Sequence, residues 1–297
     1  MKRKTVFTGS GVAIVTPMNA DGSINFNLFE ELVEWQIESG TNAIIVCGTT
    51  GEASTMTDDE HKECIRVAAN KAAGRVPVIA GTGSNDTAYA TELSVEAEKL
   101  GADCLLLVSP YYNKSSQRGL VQHFSTIADA VGIPVLLYNI PGRTGVNISI
   151  DTFEELSKHP NIVGVKESGG DINYFAKIIE RLGKNFDVYS GDDGMAVPVM
   201  SLGGKGVVSV AANIIPEVMS KMAALCLEND FAAAGKMQIK YSKLFDHLLT
   251  LDVNPTPIKQ AMNMNGKGVG GVRLPLYEMY GHSKVILKST LSELGLV

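Results

Sequence analysis

No stretch of this 297-residue chain approaches the ~18 consecutive apolar residues of a membrane-spanning helix. The basic opening Met1-Lys2-Arg3-Lys4 leads into no apolar run of signal type, so we expect a protein that is neither exported nor membrane-bound. Basic surplus is missing too. The 26 Lys and Arg against 32 Asp and Glu leave a net charge of −6 and a pI near 5.5, with no footprint for nucleic acid or an anionic bilayer. The partner to expect is a small molecule. Cysteine is scarce: Cys47, Cys64, Cys104 and Cys226 show no CxxC spacing, and three lie in apolar runs where a thiol acts as a small hydrophobe. That usage fits a reducing cytoplasm without disulfides. The histidines His61, His123, His159, His247 and His282 form no HxxxH motif, no GxGxxG opens the first helix, and Gly203-Gly204-Lys205-Gly206 is not followed by the Ser or Thr of a P-loop. No metal or nucleotide site is predicted, and the acidic pair Asp192-Asp193 in its Gly-rich loop reads as loop structure.

What is present is a repeated alternation. With 45% hydrophobic and 20% charged residues the chain can bury one large core. Short β-type segments recur at 11–15, 43–47, 76–81, 102–109, 134–139, 162–167, 187–190 and 206–210. Most are near-continuous apolar runs, the signature of strands covered on both faces in a parallel sheet. Amphipathic stretches separate them, with starts at Asn27, at the capping box Thr57 to Glu60 and at Asp151, and with Gly40 and Gly74 as stops. This spacing predicts an α/β fold, a (β/α)8 TIM barrel over 1–228, in preference to an open doubly wound sheet. After about Ile214 the strand signal ends, and helical patterns at 216–227, 231–249, 257–264 and 283–294 supply the last barrel helix and a small C-terminal helical region, 229–297. Residues 252–257 and 265–271 read as its loops.

The chemistry gathers at predicted strand ends, which form the active face of such a barrel. Lys166 closes the apolar run Ile162-Val163-Gly164-Val165. Desolvation disfavours the charged form of a lysine, and a neutral amine is the nucleophile of Schiff-base chemistry. The ends of other strands carry Gly48-Thr49-Thr50-Gly51, Tyr111-Tyr112 and Tyr138, followed by Arg143 in a loop rich in Pro and Gly. Taken singly, each tyrosine reads as a packed ring and Arg143 as a surface charge. Together they supply what an imine enzyme needs: hydroxyls to move protons beside the amine, and a rigid guanidinium to hold a carboxylate.

The ordered set, with Gly9-Ser10-Gly11 to Pro17 at the start and Ser190-Gly191-Asp192-Asp193 further on, resembles the dihydrodipicolinate synthase family of pyruvate-dependent class I aldolases along the whole chain. The resemblance implies condensation of pyruvate with L-aspartate 4-semialdehyde to 4-hydroxy-tetrahydrodipicolinate, the first committed step of the diaminopimelate branch to lysine. By the same resemblance Lys166 forms the pyruvate Schiff base, Tyr138 transfers protons, and Thr50 links its hydroxyl to that of Tyr112, which enters the adjacent subunit's site. Thr49 and Thr50 would bind the pyruvate carboxylate, Arg143 that of the semialdehyde, and Gly191 and Val208 would offer main-chain groups. No cofactor or metal is called for, because the imine nitrogen is the electron sink. A cytoplasmic homotetramer built as a dimer of dimers is implied. Residues Ala53, Ser54, Asp58, His61, Asn85, Tyr89 and Tyr111 match the cleft in which sensitive relatives bind lysine. Tyr89 stands where those relatives place a glutamate, so weak lysine inhibition is expected, to be checked by lysine titration. Related sugar-acid aldolases such as N-acetylneuraminate lyase would share Lys166 and Tyr138 but usually lack the arginine. A barrel that binds pyruvate without catalysis is the non-enzymatic alternative.

Overall fold

The computed structural model describes residues 5–297, so the basic opening 2–4 lies outside the described residues. Eight parallel strands close into one barrel in sequence order: β1 Gly9–Ala13, β2 Ala43–Val46, β3 Val78–Gly81, β4 Cys104–Val108, β5 Val135–Asn139, β6 Ile162–Glu167, β7 Asp187–Ser190 and β8 Gly206–Ser209. Between and around them lie α1 Phe26–Glu38, α2 Asp58–Ala72, α3 Thr87–Lys99, α4 Gln117–Asp129, α5 Pro141–Thr144, α6 Ile150–Leu156, α7 Ile172–Leu182, α8 Ala196–Ser201 and α9 Pro216–Leu227. Helices α10 Phe231–Thr250, α11 Thr256–Met264 and α12 Gly281–Glu293 follow the barrel.

The strands are mostly apolar because both their faces are covered, with the polar residues gathered toward their ends. Inward residues such as Ile45, Ile79, Leu106, Leu136, Val163 and Val208 fill the barrel, while Val12, Ile44, Leu105, Leu137 and Val165 face the helices. Phe7 stacks on Tyr189 at 4.4 Å between ring centres, and the tyrosine hydroxyl donates to the Phe7 carbonyl at 2.8 Å.

Several predicted boundaries shift for local reasons. β1 begins at Gly9, two residues early, because Gly9 and Ser10 pair with Gly206 and Val207 to close the barrel. It ends before Val15, whose N–H turns to the Asn213 side chain. Helix α1 starts after Asn25, not at Asn27, with the Asn25 side chain accepting from Leu28 N. Helix α6 starts after Ser149, not at Asp151, by the same device. The capping box at Thr57 and Glu60 forms as read. Residues 141–144, read as loop, make a helical turn. Gly204 and Gly206 press against Val199 and the Gly9 backbone, so the Gly-Gly-Lys-Gly stretch is a tight packing turn. Asp193 is loop structure too: its buried carboxylate accepts from Val210 N and Ala211 N and joins the ends of β7 and β8.

Candidate active site

Barrel register brings the two central residues together. Tyr138 on β5 pairs directly with Lys166 on β6. Both are inward-facing and only 6% exposed, and the lysine Nζ lies 4.1 Å from the centre of the tyrosine ring. Among the described residues this ammonium makes no ion pair. A cation over an aromatic face is attracted by the ring quadrupole, and no carboxylate competes with that contact. That arrangement can form an imine: a buried lysine nitrogen with a phenol ring alongside and no carboxylate paired to it.

The turn after β2 supplies the threonines. Cys47 (φ 55°) and Glu52 (φ 59°) adopt the left-handed region, which folds the segment back so that Gly51 N and Ala53 N both donate to Gly48 O. Thr16 Oγ1 donates to Gly51 O at 2.7 Å, tying the turn to the end of β1. Thr50 is buried and Thr49 half-buried. A feature the sequence did not disclose sets the Thr50 hydroxyl: Asn254 Nδ2 donates to it at 3.0 Å. The same Asn254 takes Arg143 Nη2 on its carbonyl at 3.2 Å. Asn254 thus touches a group expected to serve pyruvate and one expected to serve the second substrate. In the sequence it is only an Asn-Pro in a loop.

Gly191 and Val208 lie at the ends of β7 and β8, with Val208 inside the barrel. Tyr112 does not join the group within one chain. It is 93% exposed at φ 69°, on a loop strapped by Asn85 Nδ2 to Tyr111 O and by Asn113 Nδ2 to Asn85 O. The chain of hydroxyls from Tyr138 through Thr50 to Tyr112 is therefore not assembled in a single chain, because Tyr112 projects outward; Thr50 accepts from Asn254 and keeps its own O–H to donate. In the expected cleft, Tyr89 donates to Asp58 Oδ1 at 2.7 Å, and burial together with that carboxylate pushes the Tyr89 phenol up to about 12. His61 is buried, with Nε2 2.9 Å from Gly81 O, and burial pushes its pKa down. Ala53 and Ser54 form a single helical turn after Glu52.

Two buried acids were given no role from sequence. Glu52 accepts from Lys259 Nζ at 2.7 Å and from Arg273 N at 2.9 Å. Glu167, one residue beyond the lysine, faces outward and accepts from Asn139 Nδ2 at 2.7 Å and Gly169 N at 2.5 Å. Burial pushes its carboxyl up to about 7, against the pull of those donors. Among the described residues no group of His, Cys, Asp and Glu could hold a metal ion.

Over its whole length the chain is similar to proteins of one family. The chain is 53% identical over 293 residues to 4-hydroxy-tetrahydrodipicolinate synthase of Thermoanaerobacter sp. (strain X514), covering 98% of each chain. It is 50% identical to the enzyme of that name from Acetivibrio thermocellus, over 99% of this chain and 100% of the other. Among solved structures, the chloride-inhibited dihydrodipicolinate synthase from Acinetobacter baumannii, complexed with pyruvate, superposes with a TM-score of 0.96 at 45% identity, over 99% of this chain and 100% of that one. A sequence model of the dihydrodipicolinate synthetase family matches residues 6–294, and on these grounds the chain belongs to that family.

Proposed function

We propose that this protein is a Schiff-base-forming lyase that condenses pyruvate with L-aspartate 4-semialdehyde to give 4-hydroxy-tetrahydrodipicolinate, at the entry to the diaminopimelate and lysine pathway. The observation that carries the reading is the buried Lys166 amine against the Tyr138 ring, at matched positions of adjacent strands in the barrel. The Lys166 amine adds to the ketone carbon of pyruvate, and the carbinolamine loses water with protons relayed by the Tyr138 hydroxyl. The imine nitrogen then accepts the electron pair released when a methyl proton leaves, and the enamine carbon attacks the aldehyde. The amino group of the bound semialdehyde finally attacks the imine carbon, closing the ring and expelling Lys166.

Thr49 and Thr50 are assigned to the pyruvate carboxylate and Arg143 to that of the semialdehyde, with Gly191 and Val208 providing main-chain contacts. Tyr112 is assigned to a neighbouring subunit's site, in a dimer or in a tetramer made of two dimers. The cleft around Tyr89 is read as a weakened lysine site, because the Tyr89 hydroxyl occupies the Asp58 carboxylate. A cytoplasmic location is part of the same proposal, supported by four free, buried cysteines.

Borohydride reduction in the presence of pyruvate tests the central assignment. The parent protein should gain the mass of one reduced pyruvate adduct on Lys166, and Lys166→Ala should gain none. An adduct that persists on another lysine in the variant would sink the assignment.

A further inference from the structure

Side chains alternate across a strand. Lys166 points into the barrel, Glu167 turns outward to Asn139 and Gly169, and Ser168 is the next residue on the inward side, one step nearer the mouth. Its backbone is fixed, since Ser168 N donates to Asn139 O at 2.9 Å. The ladder with β7 runs Lys166 to Tyr189 and Glu167 to Ser190, and Gly191 N donates to Glu167 O at 2.8 Å, which sets Ser168 beside Gly191. Gly191 leaves a gap that these neighbours fill. A Cβ at position 191 would lie 1.9 Å from Ser168 Oγ, 2.8 Å from Lys166 Cε and 3.1 Å from Lys166 Cγ. The serine hydroxyl and the methylene bearing the reactive nitrogen therefore meet at one point. Ser168 Oγ is buried and has no hydrogen-bond partner in the chain. Buried hydroxyls are seldom left unpaired, because an unmade bond costs the full desolvation of the group.

We propose that the Ser168 hydroxyl is a substrate-touching residue that donates a hydrogen bond to the aldehyde oxygen of the second substrate as the enamine attacks it. This deepens the Schiff-base reading and rests on it. In that step the enamine pair forms the new carbon–carbon bond and restores the iminium, while the C=O pair moves onto the aldehyde oxygen. The Ser168 O–H meets that developing charge, and the oxygen then takes the proton that Tyr138 removed from the pyruvate methyl group. A donor one layer above the imine, on the side from which a second substrate enters, is placed for the condensation step and not for imine formation.

The test separates the two steps. Ser168→Ala should be trapped by pyruvate and borohydride at a rate within about twofold of the parent, and its kcat for condensation should fall about ten- to a hundredfold with little change in KM for the semialdehyde. Ser168→Thr, which keeps a hydroxyl, should recover a large part of that loss. An unchanged kcat in Ser168→Ala, or trapping that falls in parallel with condensation, would overturn the assignment. Failure of the parent itself to trap pyruvate would instead bring down the Schiff-base reading, and this one with it.

Discussion

Lys166 and Glu167 are neighbours in sequence with opposite surroundings: the lysine looks into the barrel, and the glutamate is sealed between strand ends and helices. Burial is the larger effect on Glu167, and the N–H groups of Asn139, Gly169 and Ser168 offset it only in part, leaving the carboxyl at about 7 against an ordinary value of 4.5. Because the folded value is the higher one, the folded state binds more protons between those two values. Its contribution to stability is whole below the unfolded range and lost as pH rises through about 7, by on the order of 3 kcal/mol. Glu167→Gln, which mimics the protonated acid, should therefore match the parent in urea unfolding at pH 5. It should exceed the parent by up to about 3 kcal/mol at pH 8.5. A difference that does not vary with pH would show that this carboxyl does not titrate there.

At the scale of elements, the turn carrying Thr49 and Thr50 is held by a helix that comes some two hundred residues later. Lys259 on α11 is 1% exposed and bonds Glu52 Oε1 at 2.7 Å and Thr16 O at 3.0 Å. Arg273 N takes the other Glu52 oxygen, and the Arg273 guanidinium pairs with Glu60 on α2. Burial pushes the Lys259 ammonium pKa down, with Glu52 opposing. Removing one member of such a pair strands a buried charge, whereas replacing both is far milder. Lys259→Met should cost about 3–5 kcal/mol in denaturant unfolding. Adding Glu52→Gln should recover most of it, because glutamine keeps an oxygen for Arg273 N. A double variant no more stable than Lys259→Met alone would mean that the pair is not the anchor. The division at 228/229 is thus a proposal about topology, since α11 and the loop before it take part in holding the site.

For the whole molecule, the open question is why a tyrosine is held 93% exposed with φ at 69° on a strapped loop. Such a conformation is costly for a bulky residue and persists where the surroundings enforce it. We propose that a neighbouring subunit receives this ring, and the test is complementation. Tyr112→Phe and Lys166→Ala subunits, each inactive alone, should regain activity when mixed through unfolding and refolding. Random pairing makes about half the dimers hybrids, each with one intact site, so about a quarter of the sites return. Verified hybrids without activity would indicate a site complete within one chain.

The sequence by itself determined the alternation of buried strands and amphipathic helices, the barrel that follows from eight such units, and the lysine and tyrosine at strand ends. Periodicity and capping are local, and they record which face of each segment is buried. The four C-terminal helical stretches were legible for that reason, to within two residues at each end. Weaker local signals misplaced the starts of β1, α1 and α6. In β1 the ladder runs through Gly9 and Ser10, where the backbone alone does the pairing. Only the tertiary structure decided the register that sets Tyr138 against Lys166, the reach of Asn254 to Thr50 and Arg143, the Glu52–Lys259 pair and the orphaned hydroxyl of Ser168. These contacts join residues from separate strands and loops, in two cases more than two hundred positions apart. They exist because barrel closure fixes the angular position of every strand end, and no local pattern encodes that.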